Sequence, residues 1–236
     1  MSELRVFLKA EWRSLVMLNY AVDPGLLRAR APIGTTLDFF EGKTYVSLVG
    51  FRFLETRVLG VAVPFHCNFD EVNLRFYVRR CEGGTVRRGT VFIREIVPRH
   101  AIATIARLAY NEPYIALPMK HTISEAGAEY EWCVNGRWNR VYAEREGAPS
   151  LPAEGSQQQF IAEHYWGYTA RRHGGCQEYR VEHEPWRVWS ASHAGFEGDA
   201  TELYGADLAA VLNRPSDSAL IAEGSPVSVY EGRRIV

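Results

Sequence analysis

This 236-residue sequence predicts a mainly β (α+β) fold: one curved, mostly antiparallel sheet or closed barrel with a few peripheral helices. Three observations carry the prediction. About ten segments either alternate polar with apolar residues or are rich in β-branched and aromatic ones, with turn residues between them. Only three or four stretches have helical spacing, and all are short. No shift in composition, internal repeat or linker divides the chain, so one domain spanning 1–236 is expected.

The elements follow in order. The apolar run Leu15-Val16-Met17-Leu18 continues through Tyr20 and Val22. Asp23-Pro24 then starts a short helix to about Arg30, because aspartate caps and proline suits the first helical position. Pro32 and Gly34 stop it. Thr44 to Phe53 reads as a strand, and 54–70, with Gly60 and Pro64, as a long loop or irregular strand. Residues 71–80 alternate. Val72, Leu74, Phe76 and Val78 take one face; Glu71, Asn73, Arg75, Tyr77 and Arg79 take the other. Glu82-Gly83-Gly84 turns the chain into a second strand, Thr90 to Ile96, completing a hairpin. Pro98 to Asn111 is the clearest helix, with Ile102, Ile105, Ala106 and Ala109 at helical spacing. Strands resume at 119–124, 128–134 and 137–145, the last two joined by the hairpin signal Asn135-Gly136. The Gly- and Pro-rich stretch 147–155 is a loop, and Ser156-x-x-Gln159 is a capping box that opens a helix. His173-Gly174-Gly175 makes a turn, and Gln177 to Trp189 is extended. A helix near Tyr204–Asn213 precedes a closing strand at Pro226–Tyr230.

Composition narrows the function classes. With 47% hydrophobic and 23% charged residues, wholesale disorder is excluded. Twenty-seven basic against 28 acidic residues leave a net charge of -1, with no global attraction to nucleic acid or anionic membrane. Neither partner is expected, although Arg79-Arg80, Arg87-Arg88 and Arg171-Arg172 are the residues a nucleic-acid surface would use. The charge-free run Ser14 to Val22 is too short to cross a bilayer. Met1 to Arg5 carry no export signal, and Cys67, Cys81, Cys133 and Cys176 form no C-x-x-C. Reduced thiols in a cytoplasmic protein are the expectation. The seven histidines show no ligand spacing and no phosphate loop or dinucleotide fingerprint is present, so no metal and no other cofactor is expected.

Three features carry chemistry. The polar face of 71–79 is either a wet sheet face or the wall of a pocket. In a pocket, Arg75 would grip a carboxylate in a bidentate fashion beside Glu71, Asn73 and Tyr77. Lys120, one of only three lysines, follows the apolar run Ala116-Leu117-Pro118-Met119. It is either an exposed strand end or a desolvated amine able to form a Schiff base. His183 shares a face with Tyr179 and Val181, either as a core residue or at a site.

Five segments, in order, are similar to the YqjF-like proteins of unknown function. They are Leu18 to Leu27, Tyr45 to Phe53, Glu71-Val-Asn-Leu-Arg-Phe-Tyr-Val78, Leu108 to Tyr114 and His183-Glu-Pro-Trp186. That family resembles the acetoacetate-decarboxylase-like superfamily, which implies a cone-shaped β-barrel around a central cavity and a Glu71 face that points inward. Glu71 resembles the glutamate that the decarboxylases carry on an early strand. Asn111-Glu112…Pro118-Met119-Lys120 resembles their lysine segment, with the Glu-to-Pro spacing one residue longer and Met119 in place of one lysine. YqjF-like proteins hold a non-lysine residue at this point; Asn19 and His164 stand where they tend to have histidine and arginine.

Two functions are consistent with these residues. One is a lyase or decarboxylase-like enzyme acting on a small keto acid or related carboxylate. Glu71 and Lys120 would be catalytic, with Asn73, Arg75, Tyr77, Tyr114 and His183 on the substrate. The other is a non-catalytic binder of a small molecule in the same barrel. Homo-oligomerisation is left open.

Overall fold

The computed structural model describes residues 5–171 and 174–235, and strands dominate it. The strands are β1 (Val6–Val22), β2 (Thr36–Leu37), β3 (Thr44–Val58), β4 (Val61–Ala62), β5 (Phe69–Glu82), β6 (Thr85–Val97), β7 (Tyr114–Ala116) and β8 (Met119–Ile123). They continue with β9 (Gly127–Val134), β10 (Arg137–Ser150), β11 (Trp166–Ala170), β12 (Cys176–His183), β13 (Val188–Glu197), β14 (Ser218–Tyr230) and β15 (Arg233–Arg234). The helices are α1 (Gly25–Arg28), α2 (His100–Tyr110), α3 (Gln157–Ala162), α4 (Thr201–Tyr204) and α5 (Ala206–Leu212).

Hydrogen bonding runs β12-β11-β6-β5-β3-β1-β14, and β14 pairs back to β12 through Val181↔Val229 and His183↔Val227. Those strands therefore close into a barrel, which leaves no free edge in the ring. From β14 the sheet also continues through β13, β10 and β9 to β8, forming a wing.

The wing decides what the alternation in β5 means. Phe69 to Val78 are all buried, on both faces. Val72, Leu74 and Phe76 pack outside the ring against Tyr130, Trp132 and Val141 of the wing, together with Leu208 and Leu212 of α5. Gly50 of β3 makes this approach feasible: a Cβ there would lie 2.7 Å from the Tyr130 ring. With the outer face covered by the wing, the polar face has only the barrel interior to occupy.

Several elements differ from the sequence expectation. β1 runs well beyond the apolar run that marks it, bending at Ser14, where φ is 55°. β3 extends to Val58 and is followed by the short β4, so part of 54–70 is regular. β10 likewise continues to Ser150 because β13 pairs with it as far as Val188. The last predicted helix is two: Gly205, at φ 81°, separates α4 from α5. The extended stretch Gln177 to Trp189 is interrupted after His183, before β13 begins at Val188. Half of the capping box forms at α3: the Ser156 hydroxyl accepts from the Gln159 backbone amide at 3.2 Å, while the Gln159 side chain accepts from the Gly155 amide at 2.8 Å and not from Ser156. Met1 to Leu4 and two residues of proposed motifs, Arg172 and His173, lie outside the described residues. Among the described residues no helix is long and apolar enough to cross a membrane.

Three arginines of the pairs 79–80 and 87–88 are drawn into ion pairs. Arg80 and Arg87 both donate to the buried carboxylate of Glu178, at 3.1 and 2.8 Å, and Arg233 of β15 joins them. Arg88 donates to Asp38 at 2.6 Å. Burial raises the carboxyl pKa of Glu178, but its guanidinium partners outweigh this and hold it below the ordinary range.

Candidate functional site

A cavity of about 160 Å³ lies inside the ring. Its walls come from β1, β3, β5, β6, β12 and β14, and α2 and Tyr114 of β7 cover one side. Trp12, Phe51, Phe53 and Phe69 make much of the wall apolar.

β5 delivers Glu71, Asn73 and Arg75 to this space at every second position. Glu71 is 2% exposed; Asn73 donates its amide to one carboxyl oxygen at 3.0 Å, and the Tyr114 hydroxyl donates to the other at 2.8 Å. Burial pushes the Glu71 carboxyl up to about 7, against the opposing pull of those two donors and of Arg75. The Arg75 guanidinium donates to the Ile161 carbonyl at 3.2 Å and leaves its Nε–H without a partner.

The fold adds two carboxyl groups that sequence reasoning did not assign to the site. Glu95 of β6 pairs directly across from Asn73, so both side chains enter the cavity. Glu112, in the link from α2 to β7, accepts from the Tyr179 hydroxyl at 2.8 Å and from the Thr169 hydroxyl. Burial, reinforced by neighbouring carboxylates, raises both: Glu112 to about 8, Glu95 well above the ordinary range. The strand signal at 90–96 was readable and could have flagged Glu95, but its register against Asn73 was not.

His183 also lines the cavity. Its Nδ1 is 2.8 Å from the Glu184 carbonyl, an acceptor only, so Nδ1 carries the proton and Nε2 holds the lone pair when the ring is neutral. Burial lowers its pKa, and the ring stacks on Trp186 with centroids 4.2 Å apart. His164 enters the same space, and burial pushes its ring down to about 4.

Two expected site residues lie elsewhere. Tyr77 shares the inward face, but Phe160 of α3 and His164 pack against its ring, and its hydroxyl is bound to Ser47 at 2.6 Å. It is a buried support beneath Arg75, not a cavity wall. Lys120 is on β8, where alternation turns Met119 and His121 inward and Lys120 outward. Its side chain is 56% exposed, with Nζ 2.9 Å from Glu131 and 4.7 Å from the Trp138 ring centroid. The apolar run before it is real, but the strand's period of two points the amine away. No lysine among the described residues lines the cavity. No group of three histidine, cysteine, aspartate or glutamate side chains among them could hold a metal ion.

Comparison with known proteins agrees with this architecture. A curated relative, the uncharacterized protein YqjF of Bacillus subtilis (strain 168), is 26% identical over 210 residues, covering 85% of this chain and 83% of its own. Among solved structures, the chain is similar to acetoacetate decarboxylase from Legionella pneumophila, at 14% identity and a TM-score of 0.70, covering 98% of this chain and 88% of the other. The enduracididine biosynthesis enzyme MppR complexed with pyruvate gives 14% identity, a TM-score of 0.67 and coverages of 98% and 90%. At such identities the likeness is one of fold. Residues 9–226 match the model of DUF2071, described as an uncharacterized conserved protein, and the chain belongs to that family.

Proposed function

We propose that the barrel binds a small carboxylate and that Glu71 moves a proton on it, a lyase-like chemistry that needs no enzyme-linked imine. The observation that carries this reading is the pairing, on one cavity, of the buried Arg75 guanidinium with its free Nε–H and a Glu71 carboxyl titrating near 7. A guanidinium grips a carboxylate, and a carboxyl whose pKa lies near the working pH is both an adequate base and an adequate acid. The volume suits a compact occupant, since an engineered cavity of about 150 Å³ takes benzene. That MppR is complexed with pyruvate supports a keto acid as the first compound to try.

In the reaction proposed, the Glu71 carboxylate takes a proton from the carbon beside the ketone. The C–H electron pair shifts into the carbon–carbon bond, and the carbonyl pair moves onto oxygen as an enolate. The protonated Glu71 trades its proton for a solvent deuteron, and return of that deuteron to the carbon, with the enolate pair re-forming the carbonyl, completes an exchange. Proton NMR of pyruvate in D₂O tests it: the methyl signal decays with the protein present and persists with Glu71→Gln. A variant that exchanges as fast as the parent overturns the role of Glu71.

A second reading, a receptor without chemistry, is favoured by the Glu71 carboxyl, whose two oxygens are already engaged by Asn73 and Tyr114. It predicts saturable binding of pyruvate without exchange.

A further inference from the structure

We infer that the natural occupant is a small zwitterion: besides the carboxylate held by Arg75, it carries a protonated nitrogen held by Glu95, Glu112 and Asn73. The carboxylate half rests on the reading above; the nitrogen half rests on separate atoms.

Those atoms are three buried oxygens that line the cavity and have no hydrogen-bond partner: Asn73 Oδ1, Glu95 Oε2 and Glu112 Oε2. Their residues are 2%, 2% and 4% exposed. The orientation of Asn73 follows from its amide nitrogen donating to Glu71, which leaves the oxygen free. Glu112 is fixed in a similar way: Tyr179 and Thr169 both bind its Oε1, so Oε2 is the free atom. Buried polar atoms in native proteins have partners. On this wall Asn73 Oδ1 is an acceptor in want of a donor, and Glu95 and Glu112 become acceptors when a cation displaces the protons that burial keeps on them. An ammonium supplies three donors and no acceptor, which is the complement of that wall.

A metal ion fits less well. No group of three histidine, cysteine, aspartate or glutamate side chains among the described residues could hold one. The aromatic side chains of Trp12, Phe51, Phe53 and Phe69 suit a cation wherever it meets a ring face. Charge balance points the same way. A purely anionic occupant would leave Glu95 and Glu112 protonated, whereas the positive nitrogen of a zwitterion gives their carboxylates a counter-charge once the protons leave. Glu112 keeps its proton to about pH 8 in the free protein, so arrival of a cation drives that proton into solvent.

Isothermal titration of the full chain at pH 7.5 with three matched pairs decides the matter: glycine against acetate, β-alanine against propionate, and γ-aminobutyrate against butyrate. In at least one pair the amino acid is expected to bind about tenfold or more tightly, the scale of a charge-assisted hydrogen bond. Its binding heat should vary with the buffer's ionisation enthalpy in the sense of proton release. Glu95→Gln and Glu112→Gln should shrink the preference while leaving the affinity for the nitrogen-free acid. Equal affinities within every pair overturn the zwitterion and leave the carboxylate reading standing. If neither acids nor amino acids bind, both fall. The wild-type comparison decides even if a glutamine variant fails to fold.

Discussion

Tyr114 and Glu71 stand 43 residues apart in the chain, yet the tyrosine hydroxyl donates to Glu71 Oε2 at 2.8 Å inside the barrel. β7 brings Tyr114 there by pairing in parallel with β6, placing it beside Glu95. Tyr114→Phe removes the donor and leaves a buried carboxyl oxygen unpaired. The expected cost is about 1–3 kcal/mol in urea unfolding. The hydrogen bond lowers the Glu71 pKa, so its loss should also move that titration upward from about 7. Carbon-detected NMR of labelled glutamate reads the shift; a downward move contradicts this account of the site.

The placement of Glu112 depends on a glycine. Gly167 of β11 pairs with Tyr179 of β12, and a Cβ at Gly167 would collide with the Tyr179 ring. Gly167→Ala therefore pushes away the ring whose hydroxyl binds Glu112. The expected result is a clear loss of stability, about 1–3 kcal/mol for an overpacked site. Adding Tyr179→Phe should then cost less than it does in the parent, because the hydrogen bond is already lost; additive costs would show that the two do not act on Glu112 together.

Lys120 forms an exposed ion pair with Glu131. Such pairs contribute about 0–1 kcal/mol, so Lys120→Met should leave thermal stability nearly unchanged and pyruvate binding intact. Borohydride reduction in the presence of pyruvate should leave no adduct on Lys120. A trapped adduct there, with loss of turnover in Lys120→Met, would restore the imine mechanism.

The contrast between Glu71 and Lys120 shows what was legible in the chain. Period-two alternation marked Glu71, Asn73 and Arg75 as one face, and the fold puts all three on the cavity. The same rule, applied within the short β8, sends Lys120 outward, but the apolar run before it drew attention to burial instead. Tyr77 obeys the alternation and is still not a wall, because α3 packs over it, a tertiary event with no local signature. Glu95 and Glu112 were hidden for a related reason. Their meeting with Asn73 and Tyr179 depends on strand register and on ring closure through β12 and β14, which single-strand patterns do not encode.

The buried carboxyls and His164 act on stability in opposite directions. Glu71 and Glu112 have folded pKa values raised from 4.5 to about 7 and about 8. Below 4.5 both are protonated whether folded or unfolded, and their contribution is complete. As pH rises the unfolded chain ionises first, so stability falls until the folded groups ionise near 7 and 8. His164 is lowered from 6.5 to about 4, so its contribution is present above 6.5 and lost as pH falls towards 4. The two effects oppose each other between 4.5 and 6.5. Above 6.5 the carboxyls act alone, and the protein should lose stability up to about pH 8, by at most about 1.4 kcal/mol per pH unit for each group. Glu112→Gln replaces the acid with a neutral amide of similar shape and should flatten the fall between 6.5 and 8. His164→Gln should instead flatten the acid side. Urea midpoints at half-unit intervals of pH measure both; a parent curve that does not fall between 6.5 and 8 would mean that these carboxyls are already ionised in the folded barrel at neutral pH.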